Sequence, residues 1–121
     1  MLGLIHAEVS EIAIRWFKEQ PQYEGWVMIP NRSGRADYNG IHVPYGIPPN
    51  GGGSDFILFG SQIIHGKRLF TCEFLEVKTI AYPTISIKQR RWLSKMSGFG
   101  ALCWIFREIP EPPGYLVEGW S

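Results

Sequence analysis

Cysteine is scarce in this chain of 121 residues, and long apolar runs are missing from it. Only Cys72 and Cys103 occur. Neither belongs to a Cys-x-x-Cys pair, so a disulfide scaffold and a zinc ribbon are excluded. Each sits in an apolar, strand-like run, and free buried thiols in a reducing cytoplasm are expected. No apolar run approaches the roughly eighteen residues that a membrane helix requires, which leaves no membrane partner to expect. The opening "MLGLIHAEVSEIAIRW" lacks the basic start and long apolar centre of a secretory signal. His6, His42 and His65 share no metal-ligand spacing with one another or with the cysteines. The glycine run "PPNGGGS" is not a phosphate-binding loop, because no Gly-Lys-Ser/Thr follows it.

An excess of charge of one sign is also absent: the formal net charge is +1. The distribution is uneven, however. Lys67 to Arg107 holds eight basic residues against two acids, whereas residues 1–60 hold four basic and six acidic ones. The second half therefore carries a mildly basic field, compatible with a polyanion. Apolar residues make up 45% and aromatics 14%, enough for one domain spanning 1–121 with a real core.

The pattern predicts α-β-β-α-β order. Val9, Ile12, Ala13, Trp16 and Phe17 recur at helical spacing within about 6–19. A connector from Gln20 to Ser54 follows, with one short extended piece at "GWVMIP". Its Gly-, Pro- and Asn-rich second part reads as a long loop of the kind that borders sites. "DFILFG" and "RLFTCEFLEVKTI" form strands, joined through "SQIIHGK" as an antiparallel hairpin. "SIKQRRWLSKM" is a second helix with Thr84 or Ser86 as cap, and "ALCWIFRE" a buried strand. A helix between those last two strands makes their pairing parallel, in a mixed sheet flanked by helices. The core spans about 6–107, and 108–121 is a Pro-rich tail.

The segment "TCEFLEVKTI" carries the functional question. Side chains at i and i+2 of a strand share a face, so Glu76 and Lys78 fall in line with Phe70, Cys72 and Phe74. Burying such charges unpaired costs several kcal/mol. Either the strand has run past the core and both are solvated, or the charges are used. Asp55 favours use, because a hairpin places the start of "DFILF" beside the end of "FLEVK". Two converging carboxylates repel until a proton or a cation joins them, and oxygen ligands suit Mg²⁺ or Mn²⁺. A lysine beside them suits phosphodiester hydrolysis. Gln89 shares a helix face with Trp92, Leu93 and Met96, a lone amide on an apolar stripe. Arg32 and Arg35 on the glycine-rich loop, and Lys88, Arg90, Arg91 and Lys95 on the second helix, are candidate phosphate contacts.

These residues resemble the PD-(D/E)xK nuclease superfamily, and within it the VRR-NUC group, with Holliday-junction resolvases as relatives. Asp55, then Glu76-Val77-Lys78, then Gln89 carry the likeness, supported by "IPNRSGR", "GGGSDFILF", "FLEVKT" and "SIKQRRWLSKMSGFGALCWIF" in that order across about 6–107. The resemblance implies a restriction-endonuclease-like core and a Mg²⁺-dependent deoxyribonuclease of a phage or bacterial cell, with Mn²⁺ as substitute. Asp55, Glu76 and the Val77 carbonyl would hold the metal, joined by Glu8 or Glu11 from the first helix. Lys78 would place or activate water, and Gln89 would support it. The alternatives are a junction resolvase acting as a homodimer and a nucleic-acid-binding module without turnover. Ser54 replaces the family's usual Pro, and the connector before Asp55 lacks the family's helical part.

Overall fold

The computed structural model describes residues 3–32, 34–45, 47–48 and 53–120, and only the backbone of 34–36, 38 and 42–45. Helix α1 (His6–Glu19) opens after Ile5, a residue with no side-chain acceptor for a cap. Glu8 substitutes by reaching back one turn to accept from Ile5 N at 3.2 Å. The helix stops before Pro21, which opens a 3₁₀ turn at Pro21–Tyr23. Strands β1 (Val27–Pro30), β2 (Gly34–Tyr38), β3 (Ile41–Tyr45), β4 (Phe56–Ile64) and β5 (Lys67–Lys78) follow. Helix α2 (Ile87–Gly98) then leads to β6 (Leu102–Glu108) and β7 (Tyr115–Trp120).

The main sheet has the order β1-β4-β5-β6-β7 and is mixed. β4 and β5 form the expected antiparallel hairpin, and β5 runs parallel to β6 across α2. Strand alternation divides the core into two layers. Phe56, Leu58, Leu75, Val77 and Phe106 point to one face, where Val9, Ala13 and Phe17 of α1 cover them. Ile57, Phe74, Cys103 and Ile105 point to the other, under Leu93 of α2 and Ile85. Each fully buried apolar side chain of this size contributes roughly 1.5–3 kcal/mol. The result is an α/β fold, a five-stranded mixed sheet with one helix on each face. No helix among the described residues is long and apolar enough to cross a membrane.

Three stretches differ from expectation. The connector contains a second, two-stranded sheet in which Tyr38 pairs with Ile41 across Asn39-Gly40. Both turn residues have positive φ, 52° and 81°, the geometry of a two-residue hairpin that Asn-Gly favours. The β4–β5 turn is shorter than "SQIIHGK": His65-Gly66 alone makes it, again at positive φ, so both strands run on. Finally, the Pro-rich tail ends in β7, which pairs Cys103–Glu108 of β6 and covers what would be an open edge. Its prolines lie before the strand, where no ladder donor is lost.

Candidate active site

Register brings the carboxylates together. The β4–β5 ladder ends at Phe56↔Leu75, so one further step sets Asp55 opposite Glu76. Asp55 Oδ2 accepts from Val77 N at 2.7 Å, which ties the start of one strand to the end of the other. Asn31 N, just past β1, donates to Asp55 O at 2.8 Å. Asp55 is thereby held through its carbonyl from the β1 side and through its carboxylate from β5.

Glu76 and Lys78 are not a solvated strand end. Glu76 is 2% exposed, and the Lys78 side chain 11%. Lys78 Nζ lies 4.0 Å from Glu76 Oε1 and donates to Gln89 Oε1 at 3.0 Å. Gln89 serves two purposes. As third residue of α2 it completes a capping box, accepting from Ser86 N at 3.1 Å while its own N donates to Ser86 Oγ at 3.1 Å. The same Oε1 fixes Lys78, so the start of α2 and the ammonium are positioned together.

Burial pushes the Glu76 carboxyl well above the ordinary carboxylate range, and the adjacent Asp55 carboxyl adds to this by hydrogen bonding and by charge. Lys78 and the Val77 N–H oppose the shift without cancelling it. Among the described residues Glu76 Oε2 is a buried oxygen with no hydrogen-bond partner. A proton shared with Asp55 or a cation between them resolves that conflict. Mg²⁺ is commonly held by one or two carboxylates with waters completing its shell, so the donor set fits such an ion. Asp55, Glu76 and the Val77 carbonyl would hold it. Among the described residues no group of three or more His, Cys, Asp or Glu side chains is arranged as a metal site.

The first helix reaches this centre through a residue that the spacing argument set aside. His6 Nε2 lies 3.3 Å from Asp55 Oδ2, and its Nδ1 is 3.4 Å from Ser10 Oγ. Glu8 is engaged in capping its own helix. Glu11 lines a cavity of about 880 Å³ between α1 and β1, which His6, Asn31, Arg32 and Asp55 also line. Arg32 and Asp55 thus line the same cavity. Arg35 lies in β2, and its side chain, like that of His42, falls outside the described part. Lys88, Arg90, Arg91 and Lys95 lie on α2, with Arg90 Nε donating to Ile85 O at 3.3 Å.

A second buried carboxylate, Glu73, was not singled out by sequence. Its Oε1 accepts from Tyr23 Oη at 2.6 Å and Trp104 Nε1 at 2.7 Å. With two donors it anchors the 3₁₀ turn to the sheet, and its charge contributes to raising the Tyr23 hydroxyl beyond the usual phenol range, after burial. No sequence signal marked it, because its partners lie 50 and 31 residues away. Comparison of the chain with protein-family models, with curated proteins and with solved structures gives no match.

Proposed function

We propose that this protein hydrolyses phosphodiester bonds in DNA with a divalent metal, Mg²⁺ or Mn²⁺, on a restriction-endonuclease-like version of the α/β fold. One observation carries the reading: two carboxylates, Asp55 and Glu76, meet at a strand end beside a buried lysine whose ammonium is held by Gln89. A structural ion pair needs only one acid per lysine. The second carboxylate raises the local cost instead of lowering it, and a cation-binding role accounts for it.

When bound by Asp55, Glu76 and the Val77 carbonyl, the metal would act as a Lewis acid on the phosphate. The chain's own groups perform the rest. Lys78 Nζ, restrained by Gln89, donates hydrogen bonds that orient the attacking water and stabilise negative charge on the phosphate oxygens. The Val77 N–H keeps Asp55 in place through Oδ2. Arg32, which lines the same cavity as Asp55, suits a phosphate next to the one cleaved.

Binding without turnover is a second reading, favoured by one feature: Asp55 Oδ2 is already engaged by the Val77 amide and by His6. The test is cleavage of labelled single-stranded, duplex, flap and four-way-junction DNA in EDTA, Mg²⁺ or Mn²⁺. Lys78→Ala should lower cleavage on the order of a hundredfold or more with the fold retained. An undiminished rate in Lys78→Ala would overturn the assignment. Binding with no cutting in any metal would install the second reading, and preferential paired cuts in the junction would point to a homodimeric resolvase.

A further inference from the structure

The end of the β4–β5 hairpin remote from Asp55 extends beyond its neighbours. β1 leaves β4 at Val27↔Phe59, and β6 joins β5 only at Leu102↔Glu73. Gly60–Ile64 and Lys67–Cys72 therefore form a two-stranded arm whose outer edges carry no ladder partner among the described residues. Each face of the arm carries exposed apolar side chains beside one cation, Arg68 opposite Ile63, where it donates to Ser61 Oγ at 2.9 Å, and Lys67 opposite Ile64. Ile63 and Phe70 are 65% and 73% exposed on one, and Ile64 and Leu69 are exposed on the other. Phe70 stacks on Phe59 at 5.9 Å and lies outside the core. An apolar edge of this kind normally invites aggregation. Here the tip adds Lys67, Arg68 and His65, and no Asp or Glu occurs from Phe56 to Cys72.

We infer that this arm enters a groove of duplex DNA, with Phe70 and Ile63 against the groove floor and Lys67 and Arg68 on the phosphates. Charge identifies the occupant: acid-free apolar surface flanked by cations complements a polyanion that also presents base edges. A two-stranded ribbon fits the major groove in width. A bilayer is a poor occupant, since the arm's unpaired edge N–H and C=O groups find no partner in hydrocarbon. Tip-to-tip pairing with a second copy would set like cations against each other. The inference rests on reading the Asp55 centre as DNA-cleaving. It adds geometry to that reading, because the run of β4 from Asp55 to Ile64 spans about 30 Å, or roughly nine base pairs.

The experiment is a salt-dependent binding titration of a labelled duplex about three turns long in EDTA, with Lys67→Gln/Arg68→Gln and Phe70→Ser. Removing two phosphate contacts should flatten the log–log salt slope by about 1.8, which is about a tenfold smaller loss of affinity between about 50 and about 200 mM salt. Phe70→Ser should weaken binding with the slope unchanged. Wild-type affinity and slope in the charge variant overturn the inference, and that variant alone decides if Phe70→Ser does not fold. So does a Phe70→Ser protein that loses self-association or binding to anionic vesicles while its duplex affinity is intact. Cleavage in Mg²⁺ is read on the same samples. Arm-dependent binding with no cutting retires the nuclease reading and keeps the arm, and metal-dependent cutting with arm-independent binding does the reverse.

Discussion

Replacing Glu76 by glutamine should make the metal-free protein more stable at neutral pH. Glu76 is 2% exposed, faces the Asp55 carboxyl and has one oxygen without a partner among the described residues. Its folded pKa lies above its unfolded value, which is near 4.5. Below that pH both states hold the proton and the group contributes nothing to the pH dependence. Above it the unfolded chain releases the proton and the folded chain keeps it, so the unfolded state binds fewer protons and stability falls as pH rises. The loss is about 1.4 kcal/mol per pH unit until the folded pKa is reached, hence about 3 kcal/mol from pH ~5 to pH ~7. The substituted amide cannot titrate, and its N–H₂ can donate to Asp55. The two proteins should therefore melt together near pH ~5 and diverge by about 10 °C near pH ~7, at about 4 °C per kcal/mol for a chain of this size. Thermal unfolding in EDTA across that range measures it. Parallel curves, or a wild type that gains on the variant as pH rises, would refute the argument that burial and Asp55 hold a proton on Glu76. Added Mg²⁺ should raise the wild type most at the upper end, where it would replace that proton.

Other substitutions probe the supports of the centre. Gln89→Ala removes the acceptor shared by Lys78 and Ser86 N, and should lower stability by about 1 kcal/mol in denaturant melts while reducing cleavage through a loosened Lys78. Retention of full cleavage would place Gln89 in helix capping alone. Tyr23→Phe takes one of two donors from buried Glu73 and should cost about 1–3 kcal/mol with cleavage unaffected, because Glu73 lies in the α1-side layer away from Lys78. Leu93→Ala, at the fully buried contact of α2 with the sheet, should cost about 2–5 kcal/mol in the same assay.

Much of this was legible in one dimension because it is periodic or local. The helical spacing of Val9, Ala13 and Phe17 matches the buried face of α1, and Ser86 with Gln89 forms the cap that opens α2. The Asp55–Glu76 proximity followed from a hairpin argument, since antiparallel pairing obliges the start of one strand to meet the end of the next. What escaped depended on contacts with no spacing rule. The β2–β3 hairpin was marked by Asn39-Gly40 but hidden by surrounding Gly and Pro, and β7 was masked by the prolines before it. His6 lacked any ligand spacing, and its place beside Asp55 is set by how α1 lies across β5.

The sequence by itself determined which residues could form helices and strands, the pairing of β4 with β5, and the presence of two acids and a lysine near one strand end. These follow from periodicity, turn chemistry and strand geometry, all of which act over a few residues. Only the tertiary structure decided that Glu76 and Lys78 are desolvated, and that Gln89 serves both the helix cap and the lysine. It also decided that His6 of α1 comes within 3.3 Å of Asp55 Oδ2. Burial and long-range register arise from the packing of both helices on the sheet, and no local pattern encodes the solvent that such packing removes.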